Sequence, residues 1–214
     1  IKSAPDSKGG KVFFDNHQER EEFQKRFQIP AFVPEIERTS SNRLHVYLGI
    51  DAGSTTSKFV LLNKDGSIAD KFYRSNNGDP LKTLRDGLLE IRQKYRNRGI
   101  ELDILGAGST GYGETLVANA FNMDYHTVET VAHTRAAVEI CPDVSFILDI
   151  GGQDMKAIFV ERGVPVNFIL NEACSAGCGS FLETYAQTLN IPIDRVATTA
   201  FDSDGPSRLG SRCT

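Results

Sequence analysis

The spacing of hydrophobic positions divides the chain at about residue 45. Residues 1–44 are mostly polar, and their pattern predicts one short helix over 16–27 with Phe23 and Phe27 on the same side. Beyond residue 45, hydrophobic positions either alternate with polar ones or recur every three to four residues. We therefore predict a leader, serving as linker or docking segment, over 1–44, and an ordered α/β region that begins at Val46.

Residues 45–142 contain one full series of predicted elements. The Asp79-Pro80 pair favours a helix start at residue 80, and leucines 81, 84, 88 and 89 with Ile91 continue the helical spacing. The series runs β-β-β-α-β-α-β-α. Its strands are predicted near 45–51, 57–63, 68–75, 101–106 and 125–128, and its helices near 80–97, 113–121 and 129–140.

The same order then starts again. Strands are predicted over 145–150, 155–161 and 164–169, and a helix over 179–189. We therefore predict two related subdomains, 45–142 and 143–214, of which the second is incomplete. Because the chain starts at Ile1 and stops just after Cys213, we expect it to be a piece of a longer protein.

The repeat is also visible residue by residue. The first copy reads LGIDAGSTTSKFVLLNKDG and the second reads FILDIGGQDMKAIFVERG. Asp149 lies 98 positions after Asp51, and the same spacing separates Gly151 from Gly53 and Lys156 from Lys58. The pattern thus predicts two β-hairpins, each with an acid and a glycine where its first strand ends.

This arrangement is suited to phosphate. Glycine lets the backbone approach a phosphate closely, and successive N–H groups form an anion-binding concavity. The hydroxyl groups of Ser54, Thr55 and Thr56 can donate to phosphate oxygens, whereas an aspartate would repel phosphate unless it acts through a divalent cation. Two such hairpins facing each other would clamp the phosphates of one nucleotide and its metal. The alternative is two ordinary hairpins with glycine turns.

A second glycine motif competes with this interpretation. Gly106-Ala-Gly-Ser-Thr-Gly111 matches the dinucleotide fingerprint, and Glu129 follows 18 residues after Gly111. NAD binding is therefore an alternative. However, the preceding strand is the fourth of its repeat, whereas a dinucleotide site opens its fold. We favour a loop over 108–113 that borders the nucleotide cleft near the γ-phosphate.

Composition narrows the classes of protein. The chain is 40% hydrophobic and 24% charged with a net charge of −4, which disfavours a general nucleic-acid surface. No apolar run reaches the length of a membrane span. Four cysteines are too few for a disulfide scaffold, so we expect a cytoplasmic protein whose thiols are free or bind metal.

The cysteines suggest an iron–sulfur site. Cys174 stands at the start of a predicted helix, where backbone N–H groups favour a thiolate, and its small neighbours leave room for a ligand. Cys213 lies in a similarly small and polar GSRCT stretch. Since a four-iron cluster needs four thiolates, two cysteines from each chain of a two-fold dimer would complete it. The alternative for Cys174 is a buried thiol beside a tight turn.

At the level of whole motifs, the sequence resembles the actin-like ATPase superfamily. Asp51-Ala-Gly-Ser-Thr-Thr-Ser-Lys58 is similar to its first phosphate motif, and Asp149-Ile-Gly-Gly-Gln-Asp154 to its second. The resemblance implies two ribonuclease-H-like halves with ATP or ADP in the cleft between them, the second half truncated here.

One branch resembles the chain more closely: the BadF/BadG/BcrA/BcrD ATPase family, the activators of 2-hydroxyacyl-CoA dehydratases and benzoyl-CoA reductases. STGYG, NEACSAGCGSFLE, the terminal SRCT and His133 fit its pattern. Membership implies a homodimer sharing one 4Fe-4S cluster, and ATP-driven electron transfer into a dehydratase or reductase partner. By position, Cys174 and Cys213 would be the ligands, Cys178 structural, and Cys141 a buried small residue. An intrachain cluster from all four cysteines is the alternative.

The resemblance also implies roles around the nucleotide, with Asp51 organising Mg²⁺ and Gln153 orienting the attacking water. The residues expected to contact phosphate are Gly53, Ser54, Thr55, Thr56, Lys58, Thr110, Gly111, Asp149, Gly151 and Gly152. Two other functions stay open. A sugar or acyl kinase would need a general base, for which only Glu129 lies in a plausible region. A non-catalytic nucleotide-binding module would need neither base nor cluster.

Overall fold

The computed structural model describes residues 12–171, 178–203 and 205. Within these ranges, the helices and strands follow the predicted order β-β-β-α-β-α-β-α and then β-β-β-α, which is therefore confirmed. In chain order the elements are α1 (His17–Arg26), β1 (Arg43–Ala52), β2 (Thr56–Leu62), β3 (Ile68–Ser75), α2 (Pro80–Arg96), β4 (Glu101–Thr110), α3 (Glu114–Phe121), β5 (Tyr125–His126), α4 (Glu129–Ile140), β6 (Phe146–Ile150), β7 (Met155–Glu161), β8 (Val164–Leu170), α5 (Gly179–Thr188) and α6 (Val196–Phe201).

The chain forms two compact units. Residues 32–171 make up the larger unit, and the described parts of 12–31 and 178–205 belong to the smaller one. Both β-sheets lie in the larger unit. The boundary predicted at residue 142, between two related subdomains, stays a prediction.

The first sheet has five strands in the order β3-β2-β1-β4-β5. The central strand β1 is antiparallel to β2 and parallel to β4. Along β1 the alternate residues Val46, Leu48, Ile50 and Ala52 are buried, as its period-two pattern predicts. The parallel pairing brings the ends of β1 and β4 to one edge, where Asp51 lies opposite Thr110.

Helix α2 covers one face of this core and starts as its sequence predicts. The Asp79 carboxylate accepts a hydrogen bond from the Lys82 backbone N–H (2.9 Å), and Pro80 occupies the first turn. Leu84 and Ile91 are buried, whereas Leu89 is 54% exposed. None of the helices in the described ranges is both long and apolar enough to cross a lipid bilayer.

The second sheet has three antiparallel strands in the order β6-β7-β8. Its first two strands form a hairpin with the same layout as β1–β2. Helix α4 follows β5 of the first sheet and precedes β6, and it contacts β7 and β8. This helix therefore joins the two sheets within the larger unit.

Part of the predicted leader is packed in the core. Ile36, in a short 3₁₀ helix at Glu35–Glu37, is only 5% exposed and belongs to the same hydrophobic cluster as Val46 and Leu84. The prediction that order begins at Val46 is therefore wrong. A single apolar residue between polar neighbours shows no periodic signal, although its burial ties residues 35–37 to the first sheet.

In the smaller unit, α1 packs against α6. The pairing of Phe23 and Phe27 on one side of α1 is confirmed by a ring-centroid distance of 4.6 Å. Phe23 also contacts Phe201 of α6, and the Arg20 guanidinium donates to the Asp202 carboxylate at 2.5 Å. The sequence did not predict α6, because six residues are too few to show a helical period.

Candidate nucleotide site

The two hairpins repeat each other in three dimensions. Asp51 lies opposite Lys58 across β1–β2, and Asp149 lies opposite Lys156 across β6–β7. The Gly53 N–H donates to the Thr56 carbonyl at 2.9 Å. In the second hairpin the Gly151 N–H donates to the Asp154 carbonyl at the same distance. The duplication in the sequence is thus also a duplication of backbone geometry.

The tips of the two hairpins touch. A Cβ added to Gly152 would lie 2.5 Å from the Thr55 hydroxyl oxygen, so no larger residue fits there without displacing Thr55. The first tip is held from below by Asn76, which is almost fully buried and whose side-chain amide donates to the carbonyls of Gly53 (2.9 Å) and Ser54 (3.2 Å). The predicted facing of two glycine tips is therefore present within the larger unit.

Asn76 is a site residue that sequence reasoning missed. The sequence feature that could have identified it is local, because Asn76 directly follows the last residue of β3 and begins an Asn-Asn-Gly-Asp turn. Because a buried amide must satisfy its donors, its two bonds to the 53–54 carbonyls fix the position of the first tip.

The first hairpin carries an internal ion pair. Lys58 Nζ and Asp51 Oδ2 are 2.7 Å apart, and both side chains are partly exposed. The edge beside Asp51 is closed by Gly111, whose φ is +91° and whose added Cβ would lie 2.5 Å from Asp51 Oδ1. Thr110 also lies beside Asp51, but its hydroxyl donates to the Thr127 carbonyl (2.9 Å). The predicted γ-phosphate role of Thr110 would therefore require its hydroxyl to turn away from the Thr127 carbonyl and donate to the phosphate instead.

The second hairpin is paired differently. Asp149 Oδ2 lies 2.8 Å from His133 Nδ1, and Lys156 Nζ contacts the carboxylates of Glu129 and, at 3.2 Å, Asp154. The hydrogen bond to Asp149 raises the pKa of His133, although burial opposes it. The same bond lowers the pKa of Asp149. Glu129 and His133 are thus site residues, whereas in the sequence they stand out only as pattern matches.

Lys156 is the repeat partner of Lys58, but its role in the site could not be predicted from sequence. Its side chain is 11% exposed, and burial lowers its pKa while the nearby Asp51 raises it. Asp51 and Lys58 also influence His133 electrostatically. The charged groups of both hairpins therefore form one cluster, and a cavity of about 430 Å³ opens beside Asp51, Lys58 and His133.

A larger cavity of about 680 Å³ lies elsewhere, between α2 and strands β1, β2 and β4. Its lining is mainly leucine and isoleucine, with Arg92, Arg96 and Glu101 as the charged members. It contains none of the duplicated residues. Of the duplicated residues, Asp51 and Lys58 of the first hairpin line the 430 Å³ cavity instead.

The glycine motif at 106–111 does not form the predicted loop. Strand β4 continues to Thr110, and Gly106 and Gly108 pair with Tyr47 and Gly49 of β1. The turn begins only at Gly111, so the loop predicted over 108–113 is wrong in its first half. Since a dinucleotide fingerprint needs its glycines in the turn after the strand, residues 106–111 do not provide the binding loop that the NAD alternative requires.

The remaining predicted residues fall into two groups. Ser54 and Gln153 are exposed at the tips of the first and second hairpin, where each can reach a ligand from solvent. Cys174 and Cys213 lie outside the described residues. Within those residues there is no cluster of three or more metal-binding side chains.

The other two cysteines differ from each other. Cys178 is buried at the N-cap of α5, with its Sγ 3.4 Å from the Ser180 hydroxyl. Cys141 is exposed where α4 ends, so its prediction as a buried residue is wrong. The proline that follows it begins a surface turn rather than a packed one.

Comparison with known proteins supports one family. The model of the BadF/BadG/BcrA/BcrD ATPase family matches residues 48–214. The (R)-2-hydroxyglutaryl-CoA dehydratase activating ATPase of Acidaminococcus fermentans is 33% identical over 78% of this chain and 62% of its own length. A benzoyl-CoA reductase subunit of Thauera aromatica is 29% identical over 77% of this chain and 58% of its own length.

Solved structures agree. Component A of (R)-2-hydroxyglutaryl-CoA dehydratase from Acidaminococcus fermentans superposes with a TM-score of 0.67 at 30% identity, over 78% of this chain and 63% of the other. The activator of 2-hydroxyisocaproyl-CoA dehydratase from Clostridium difficile, with bound ADPNP, gives 0.65 at 28% identity, over 78% and 61%. The fold is thus that of the actin-like ATPases, and the chain spans about three fifths of the length of these relatives.

Replacing Gly111 with alanine tests the closure around Asp51. Gly66 has a similar φ of +85° but no atom within 4 Å of an added Cβ, so Gly66→Ala is a matched control for backbone strain alone. We expect Gly66→Ala to cost about 1–2 kcal/mol in the free energy of unfolding. Gly111→Ala should cost at least about 1 kcal/mol more, because its Cβ also collides with Asp51 and the Ala52 carbonyl. Equal losses in urea titrations would show that the contact is loose.

The His133–Asp149 pair predicts a pH dependence. A raised histidine pKa gives stability that is fully present below about 6.5 and is lost as pH rises through the raised value. The lowered pKa of Asp149 gives stability that is present above 3.8 and is lost on further acidification. The pair therefore stabilises most between these two values.

His133→Asn removes the charged partner and is compared with the exposed His126→Asn. In urea unfolding we expect His133→Asn to lose about 1 kcal/mol near pH 5.5, allowing for solvent screening, and clearly less near pH 9. His126→Asn should change little at either pH. A loss of the same size at both pH values would mean that His133 is bound as a neutral ring.

Proposed function

Because the chain belongs to the BadF/BadG/BcrA/BcrD ATPase family, we propose that it is the catalytic part of an ATP-dependent activator, which couples ATP binding and hydrolysis to electron transfer into an acyl-CoA dehydratase or related reductase. The observation that carries the proposal is the contact between two glycine tips that each end a strand with an aspartate. A single hairpin of this kind is common, whereas two meeting at their tips form a two-sided phosphate clamp.

The nucleotide would lie between the hairpins. The first tip offers backbone N–H groups and the hydroxyls of Ser54, Thr55 and Thr56, with Lys58 as the nearby cation. Gly151 and Gly152 would approach from the other side as residues without side chains of their own, next to Asp154 and Thr55. The structure of the Clostridium difficile activator with bound ADPNP supports a nucleotide of this class.

Magnesium fits the donor set. Asp51 and Asp149 present carboxylate oxygens at the ends of β1 and β6, which are the hard ligands that Mg²⁺ prefers. When bound, the ion would neutralise the phosphate charge that these acids otherwise repel. Gln153, exposed on the second tip, is suited to orienting a water molecule by its amide.

The redox half of the proposal depends on Cys174 and Cys213. Their positions in small, polar stretches would suit ligands of a 4Fe-4S cluster completed by a second copy of the chain. The cluster would supply one-electron transfer, and ATP would supply the driving force. The relatives that are activators of 2-hydroxyacyl-CoA dehydratases, and the benzoyl-CoA reductase relative, support a dehydratase or reductase as the class of partner.

A sugar or acyl kinase is less well supported. Its general base would have to be free to accept a proton from the acceptor hydroxyl. Glu129, the candidate from sequence, contacts the ammonium group of Lys156 and so is held as an ion-pair partner. A kinase would also give no role to Cys174 and Cys213, which lie among small residues in the sequence.

Iron analysis of the whole protein, purified without oxygen, tests the redox half. We expect about four irons and four sulfides per dimer, and loss of both in Cys174→Ser. Cys141→Ser is the matched control, since Cys141 is an exposed thiol at the end of α4, and it should keep the cluster. Protein that stays free of iron after reconstitution would contradict electron transfer and leave a nucleotide-binding module.

A further inference from the structure

The duplication is broken at one point. In the first hairpin the cross-strand neighbours Asp51 and Lys58 pair with each other at 2.7 Å. In the second hairpin the cross-strand neighbours Asp149 and Lys156 are each paired with a different residue. Two of these partners, Glu129 and His133, come from helix α4, and Lys156 also contacts Asp154 of its own hairpin at 3.2 Å.

The spacing on α4 explains how it reaches both. Glu129 and His133 are four residues apart, so their side chains lie on the same helix face, one turn from each other. One turn of helix thus spans one cross-strand pair of the sheet. His133 of α4 pairs with Asp149, and Glu129 of α4 pairs with Lys156. These two contacts replace the aspartate–lysine pair found within the first hairpin.

Of the two hairpin residues held by α4, Lys156 is the one that could also bind a phosphate. Its side chain is 11% exposed and lies within the electrostatic influence of Asp51, at the centre of the charged cluster. It occupies the position that Lys58 occupies in the first hairpin. A desolvated ammonium group needs an anion, and a phosphate between the two tips would compete with Glu129 for it.

Resting on the function proposed above, the geometry points to a two-point latch: Glu129 and His133 hold Lys156 and Asp149 on α4, and nucleotide phosphate draws Lys156 away from Glu129. Glu129 and His133 are positioning residues in this scheme. The contact between His133 and Asp149 keeps the second hairpin attached to α4 while the contact between Glu129 and Lys156 breaks.

Through the latch, a bound phosphate would change the structure of α4. Since α4 starts directly after β5 and ends before β6, it is the chain segment that connects the two sheets. A ligand shifts an equilibrium only through a difference in its contacts with the two states, and Lys156 supplies that difference here. Loss of the Glu129 contact would loosen the first turn of α4, which has no side-chain cap of its own.

The test is the affinity for MgADP of the wild-type chain and three variants, measured by titration calorimetry. Glu129→Gln removes the charge and keeps the shape, and Glu129→Asp restores the charge on a shorter arm. Glu139→Gln is the matched control, because Glu139 is an ion-paired glutamate on the same helix, bonded to Arg135 but 73% exposed.

We expect Glu129→Gln to bind MgADP at least about fivefold more tightly, since Lys156 then has to leave only the more exposed Asp154 carboxylate, 3.2 Å away. Glu129→Asp should fall between it and the wild type, and Glu139→Gln should match the wild type. Unchanged or weaker binding by Glu129→Gln, with a wild type that binds, would overturn the latch and leave the proposed function in place. A wild type that does not bind MgADP would overturn both.

Hydrogen exchange on the wild-type chain is a second test of the latch, and it does not require a variant to fold. MgADP should increase exchange in peptides that cover residues 129–133 and leave 134–140 nearly unchanged, since only the contact between Glu129 and Lys156 breaks. In Glu129→Gln this nucleotide effect should disappear. Protection of residues 129–133 by MgADP would contradict the release of Lys156.

Discussion

The structure depends on the contact between Gly152 and Thr55, where two duplicated hairpins meet at their tips. Everything assigned to the site follows from that approach. It brings Asp51 and Asp149, which are far apart in sequence, into one charged cluster. The contact depends on the absence of a side chain at residue 152, because an added Cβ would lie 2.5 Å from the Thr55 hydroxyl oxygen.

The elements around the tips serve to hold them at this distance. Parallel pairing of β1 with β4 sets the end of β1, and Gly111 closes the edge beside Asp51. Asn76 fixes the first tip from below by two hydrogen bonds to its carbonyls. The second tip is fixed differently, by side chains of α4. One half of the site is therefore built into its own sheet, and the other half depends on a helix that connects the sheets.

How much could be predicted from sequence depended on the range of the interaction. The hairpins were found because the repeat preserves residue types at constant spacing, and α2 was found because Asp79-Pro80 and its apolar residues act locally. The pairing of His133 with Asp149 and of Glu129 with Lys156 was not predicted, since it depends on where α4 lies against the second hairpin. Local signals also misled: Gly106 and Gly108 suggest a turn, yet they continue β4 because the neighbouring β1 provides a parallel partner.

The proposed site requires that one nucleotide contacts both hairpin tips. A crystal structure of the chain with magnesium and ADPNP is the direct test of this requirement. We predict phosphate oxygens within hydrogen-bond distance of backbone N–H groups at both 53–56 and 151–153, with the metal beside Asp51. A nucleotide bound to the first hairpin alone, or along β4 at Gly106–Gly108, would contradict the account.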